Sequence, residues 1–218
     1  PKAELNQYVV GSPMERMAVD ILKLPKTLKG NKYCLVVSDY FTKWVGAFPM
    51  SNRDAKTVAT ILFERVFSYL GMPKELHSDQ GGEFEAHLFQ ELCELLDITK
   101  SRTTAGNLKS DGLVERFNRT LTAMIRSFTE EHPQSWDDYL PQLMMGYRST
   151  IQESTGMSPN YLMFGREHDL PADLMYGLPP GEKPVEATDW VLELRQRFDI
   201  ASEFVRREIN DKKNKSTL

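Results

Sequence analysis

Three runs of strand-forming residues crowd into the first fifty positions: MAVDILKL from Met17 to Leu24, YCLVVSDYF from Tyr33 to Phe41 and WVGAFPM from Trp44 to Met50. The middle run is apolar enough for a central strand. GNK ahead of it is turn chemistry. Pro49 puts the third run near an edge, because proline cannot donate to a ladder. Such short links predict an antiparallel meander.

The period then changes. Ala55 to Leu70 places Val58, Leu62, Val66 and Tyr69 at helical spacing, with Asp54 as N-cap and Gly71 and Pro73 as the stop. ELHSD follows as a strand. Glu85 to Leu96 reads as a helix with Leu88, Phe89, Leu92, Cys93 and Leu96 on one face, and Ile98 to Arg102 as a fifth short strand. A helix from about Leu113 to Phe128 carries a stripe of Leu113, Phe117, Leu121, Met124 and Phe128. Trp136 to Thr150 is another, with Ser135 as N-cap, and Pro159 to Gly165 is a short one. The order βββ-α-β-α-β followed by helices predicts a mixed α/β sheet with helices packed on it. A Pro- and Gly-rich stretch, Gly177 to Pro184, sets off a last helix over roughly Thr188 to Asn210, whose Val191, Leu194, Phe198, Ala201 and Val205 form a narrow apolar seam.

Bulk properties narrow the function classes. In 218 residues no apolar run nears the roughly 18 needed to span a membrane. Cys34 and Cys93 form no CxxC, so this chain holds no zinc finger, and both read as buried free thiols. His77, His87, His132 and His168 lack the i, i+4 spacing of a helical metal pair. A net charge of −4 argues against a general nucleic-acid binder but leaves room for a local basic face. The chain opens on Pro1 rather than Met, as a piece of something longer would.

Two carboxylates sit where strands should be apolar. Asp20 interrupts AVDIL, and Asp79 ends ELHSD just before a glycine pair. A charge at a strand end is costly unless something pairs with it, and a metal ion is such a partner. Glu115, one turn into the long helix and off its apolar stripe, is a third acid, with 35 residues between it and Asp79. Its face continues through Arg119, Thr122 and Arg126. Taken singly, each acid has an ordinary reading: a hydrogen-bonded core carboxylate, a turn cap, and a first-turn acid that suits the helix dipole. Asp39, in VVSDYF, is a rival acid and reads as structural.

Together the three acids resemble the D,D-35-E triad of retroviral and retrotransposon integrases. The surrounding words MERMAVDIL, LVVSDYFTKW, HSDQGGEFE, LVERFNRTL, WDDYLPQLMMGYRST and STGMSPNYLMFGRE resemble those of gypsy-class LTR retrotransposon integrases, from Tyr8 to about Gly177. The resemblance implies an RNase H-like fold, with a five-stranded mixed sheet, helices on both faces and a C-terminal helical extension. It implies residues 1–12 as a linker, 13–176 as the catalytic core, and 177–218 as a linker with an amphipathic helix. The implied activity is that of a polynucleotidyl transferase, performing 3′-end processing and strand transfer of element DNA into host DNA. Asp20, Asp79 and Glu115 would hold two Mg²⁺ or Mn²⁺ ions, about 4 Å apart in such sites, with Asp20 bridging them. Arg119, Asn118, Lys109 and Thr122 would contact DNA. The implied partners are the terminal-repeat ends, host DNA and further copies of the chain, with no membrane. Action would be nuclear, after a stage in a cytoplasmic particle. A zinc-binding N-terminal domain and a C-terminal DNA- or chromatin-binding module belong to the same family pattern and would lie beyond these residues.

One departure stands out. Where gypsy-class integrases carry a Pro-Tyr-His-Pro-Gln-like run, this chain has Ala105-Gly106-Asn107-Leu108-Lys109. Losing both prolines frees the backbone of a loop expected beside the acids. The alternative this raises is a decayed or host-adopted relative that binds DNA or protein without catalysis. A ribonuclease H shares the fold and would want a further acid, for which Glu64 is the candidate.

Overall fold

The computed structural model describes residues 10–102, 112–130, 132–171, 196, 198–201 and 203–207. The chain falls into two compact units, Pro1–Tyr147 and Arg148–Leu218. The expected boundary near residue 177 lies outside the described residues.

In the first unit five strands form one sheet of order β3-β2-β1-β4-β5. β1 (Arg16–Lys23), β2 (Tyr33–Asp39) and β3 (Val45–Met50) are the antiparallel meander, and β3 is an edge, as Pro49 requires. β4 (Glu75–Ser78) and β5 (Thr99–Arg102) join parallel to β1, which makes the sheet mixed.

Side-chain alternation divides the core in two. Met17, Val19, Leu35, Val37 and Leu76 face one way, onto α1 (Ala55–Ile61), its π-helical continuation (Leu62–Phe67) and α4 (His87–Leu95), through Val58, Leu62, Val66, Phe67, Phe89 and Cys93. Cys34, Val36, Val45 and Ala47 face the other way, onto α5 (Gly112–Phe128) and α6 (Trp136–Ser149). Both thiols are free and buried, and burial pushes Cys34 up to about 12.

Local signals place several boundaries. Asp54 Oδ1 accepts from Thr57 N at 2.9 Å and caps α1. A short α2 (Ser68–Leu70) closes that helical run at Gly71, where φ is 85°. In the second unit Ser158 Oγ caps α7 (Pro159–Phe164) by accepting from Tyr161 N at 3.0 Å, and Gly165 ends it in the left-handed region.

Other expectations need correction. The π turn brings Phe67 rather than Tyr69 into the core, and Tyr69 is 77% exposed. The helix expected from Glu85 to Leu96 is two, α3 (Gly82–Glu85) and α4, broken by the extended Ala86, and Leu88 is exposed. On α5 the buried stripe is Val114, Phe117, Leu121 and Ile125, while Phe128 is exposed. Ser135 lies in a 3₁₀ turn (Pro133–Ser135) and donates back to His132 O instead of capping α6. Trp136 is fully buried, and its Nε1 donates to Pro25 O at 2.6 Å. Of the C-terminal seam, Ala201 and Val205 are buried, and Val191 and Leu194 lie outside the described residues. Among the described residues no helix is long and apolar enough to cross a membrane.

Candidate active site

Parallel pairing of β1 with β4 builds the site. Ala18 pairs with His77 and Val19 with Ser78. One step further along the same register, Asp20 comes beside Asp79, the first residue past the end of β4. Met17, Val19 and Leu76 face the α1/α4 side, so the alternation of a strand turns Ala18, Asp20, His77 and Asp79 toward α5. Glu115 stands in the first turn of that helix. All three acids line one pocket of about 170 Å³, together with Ala18, Val19, His77, Ser78 and Val114.

Each acid is held differently. Asp20 is half-buried; its Oδ1 accepts from Ile21 N at 2.7 Å and its Oδ2 from Asn118 Nδ2 at 2.6 Å. Asp79 is exposed, and its Oδ1 accepts from Gly81 N at 2.9 Å. A Cβ at position 81 would stand 2.9 Å from that same Oδ1, so glycine there makes room for the Asp79 carboxylate itself. Gly82 meets no such constraint. Glu115 is exposed, and its carboxylate makes no hydrogen bond or ion pair with a described residue.

Three carboxylates in one pocket repel one another unless a cation or protons intervene. As positioned, they share the pocket without closing on a point: among the described residues no three acidic, histidine or cysteine side chains stand close enough to hold a metal ion. The donor set nevertheless suits a hard divalent cation, which takes oxygen ligands. Asp20 offers two carboxylate oxygens, Asp79 two and Glu115 two, which is the oxygen-rich chemistry such a cation takes. Asn118 Oδ1, on the amide that holds Asp20, is buried without a hydrogen-bond partner among the described residues.

The remaining candidates separate by position. Arg119 and Arg126 are exposed on α5. Thr122 is half-buried and donates to Asn118 O at 2.8 Å. Asn118, taken from the sequence as a DNA contact, is buried and turned toward Asp20. Lys109 and the whole Ala105–Lys109 run lie outside the described residues. Asp39 is buried and accepts from Met14 N at 3.0 Å and from Thr42 N and Oγ1, each at 2.7 Å; burial raises its pKa against those bonds. That is a structural carboxylate. Glu64 is exposed on the π-helical turn, which packs on the opposite face of the sheet from α5.

Sequence reasoning missed two features. No local pattern announces the Asn118–Asp20 bond, since 98 positions separate the partners. His77 was legible by parity, being two residues before Asp79 on the same strand face.

Comparison with known proteins bears on the family and the fold. Residues 11–108 match the Integrase core domain family. The Pol polyprotein of transposon 412 from Drosophila melanogaster is 31% identical over 206 residues, which is 92% of this chain and 16% of that protein. The Gag-Pol polyprotein of walleye dermal sarcoma virus is 34% identical over 155 residues, 71% of this chain and 9% of that protein. The chain thus spans a sixth or less of the length of these relatives. Among solved structures, the HTLV-2 integrase catalytic core in complex with magnesium superposes with a TM-score of 0.58 at 20% identity, covering 70% of this chain and 97% of the other. A simian T-cell lymphotropic virus intasome in complex with the PP2A regulatory subunit B56 gamma gives 0.65 at 22% identity, covering 85% of this chain and 63% of the other. The sheet order, the helices on both faces and these superpositions identify the RNase H-like fold. That fold, the family match over residues 11–108 and the Pol relatives support a retroviral-type integrase catalytic core.

Proposed function

We propose that this protein is the catalytic core of a DNA-integrating enzyme, a polynucleotidyl transferase that trims the 3′ ends of element DNA and joins them to host DNA. The observation that carries the reading is the β1–β4 register, which brings Asp20 beside Asp79 on the face covered by α5, with Glu115 in the same pocket.

Asp20, Asp79 and Glu115 would hold two Mg²⁺ or Mn²⁺ ions. Such ions would supply Lewis-acid activation of an attacking oxygen and stabilisation of the leaving oxygen in an in-line displacement at phosphorus. The chain's own residues set the conditions for this. Asn118 orients Asp20, Gly81 N–H fixes Asp79, and Arg119, one turn beyond Glu115, is free to meet a DNA phosphate. Integrase neighbours described as dimeric and trimeric forms support a homo-oligomer for this chain, which joining two DNA ends would require. The place of action is the nucleus, where target DNA lies.

A second reading, a relative that binds DNA or protein without catalysis, is favoured by the altered run Ala105–Lys109. Thermal denaturation separates the two. Millimolar Mg²⁺ or Mn²⁺ raises the melting temperature of the parent, and Asp79→Asn abolishes most of the rise. An equal rise in the variant removes Asp79 from the ligands.

A further inference from the structure

His77 is buried two residues before Asp79, and it lines the same pocket as the three acids. Its Nδ1 lies 2.8 Å from Ser101 Oγ, the residue opposite it in the β4–β5 register. Ser101 in turn donates its hydroxyl to Glu75 Oε1. Glu75 Oε1 also faces Arg16 Nε at 3.4 Å. The Arg16 guanidinium stacks over the Tyr40 ring, 4.8 Å from its centroid, and Tyr40 meets the imidazole edge-on at 6.5 Å. Arg16, Glu75, Ser101, His77 and Tyr40 therefore close a ring of contacts across β1, β4 and β5.

A serine hydroxyl has one hydrogen to give. Ser101 gives it to the Glu75 carboxylate, so toward His77 its oxygen only accepts. The proton of the neutral imidazole must then sit on Nδ1. A carboxylate–hydroxyl–imidazole order of this kind fixes both tautomer and ring orientation, as outer hydrogen bonds do for histidines at metal centres.

Strand alternation shows what lies above the ring. On the α5-facing side of the sheet the residues stand in three successive rows: Arg16 with Glu75, then Ala18 with His77 and Ser101, then Asp20 with Asp79. The middle row is the floor of the acid pocket. Ala18 adds only a methyl there, so the imidazole sets how far the floor extends beneath the carboxylates.

We propose that Glu75 and Ser101 are positioning residues for the acid site: they lock the His77 ring, and the locked ring holds Asp20 and Asp79 at the separation that metal binding needs. The proposal rests on the metal-binding reading of the three acids. It assigns His77 no proton transfer and no contact with DNA. The plain competitor is a buried polar cluster that only fastens β5 to the sheet, and such a cluster would affect stability alone.

Two readouts on the 218-residue protein decide between them. Long-range ¹H–¹⁵N correlation on histidine-labelled protein at about pH 8.5, well above the ordinary imidazole pKa, reports which ring nitrogen carries the proton. The parent and Ser101→Thr show Nδ1–H at His77, and Ser101→Ala moves the population toward Nε2–H. Mn²⁺ affinity, read by electron paramagnetic resonance, weakens about tenfold in Ser101→Ala and stays within about twofold of the parent in Ser101→Thr. An Nε2–H tautomer in the parent overturns the proposal with no variant needed. Unchanged Mn²⁺ affinity in Ser101→Ala overturns it in favour of the fastening role. A parent that binds no Mn²⁺ is a different result: it removes the metal reading of the acids, and the positioning role falls with it.

Discussion

Asn118 Nδ2 donates to Asp20 Oδ2 across 2.6 Å, joining the second turn of α5 to the middle of β1. Glu115 stands three residues earlier on that helix, so the bond that orients one acid also sets the helix carrying another. Asn118→Ala removes the bond and leaves the helix docked through Phe117 and Leu121. The expected result is a 10–100-fold loss of metal-dependent activity, with a melting temperature within a few degrees of the parent. Activity equal to the parent's in a well-folded variant would contradict the orienting role.

Asp39 separates structural acids from the site. It is buried, accepts three hydrogen bonds and tethers the Asp39–Trp44 turn to Met14. Replacing it by alanine strands buried donors, at a cost of about 3 kcal/mol. Denaturant titration of Asp39→Ala checks this, and the variant's response to Mn²⁺ per folded molecule stays parental.

The two ends of α5 offer a packing test. Leu121 is fully buried, whereas Phe128 is 60% exposed. Leu121→Ala costs about 2–5 kcal/mol; Phe128→Ala costs about 0.5 kcal/mol or less. Comparable losses at the two positions would place the buried stripe wrongly.

Lys43 gives stability a dependence on pH. It holds a left-handed backbone, with φ of 62°, in the turn between β2 and β3, and its Nζ donates to Tyr40 O at 2.6 Å. Burial lowers its pKa to about 8 from 10.5; nearby Asp39 opposes that and the Arg116 cation adds to it. Between those values the unfolded chain binds the proton more tightly, so this residue's contribution to stability rises with pH. The buried thiols, raised by burial, pull the other way above about pH 9. The comparison is therefore of parent against Lys43→Met by denaturant titration. From about pH 7.5 to 9.5 the parent gains stability relative to the variant. A constant difference would show that Lys43 titrates normally.

What could be read from the sequence was local. Apolar runs, Pro49, Asp54 and Gly71 fixed the strands, the edge and the first helix because each acts within a few residues. The faces of helices came out shifted where three- and four-residue spacings compete: α5 buries Val114 and Ile125, Met124 packs against the same core only partly buried, and Phe128 is exposed. Tyr69 was misassigned because a π turn resets the face, and no glycine or proline announces the break at Ala86. Asp20 and Asp79 stood out because a charge in an apolar strand is anomalous, and Glu115 because it lies off the apolar stripe of its helix. Their supports did not, since Asn118–Asp20 and the row Arg16–Glu75, His77–Ser101 exist only once distant segments pair.

Strand transfer by the acid variants tests the central claim most directly. The substrate is a labelled duplex carrying the terminal-repeat end that the proposed function implies, supplied with Mn²⁺ and target DNA. Three residues that act as one unit are not additive. Asp20→Asn, Asp79→Asn and Glu115→Gln each remove nearly all joined product, and any double variant loses little more. Arg119→Ala keeps the metal response while weakening DNA binding and reducing its salt dependence by about one phosphate contact. Substantial strand transfer by Glu115→Gln, under conditions where the parent is active, would contradict the account.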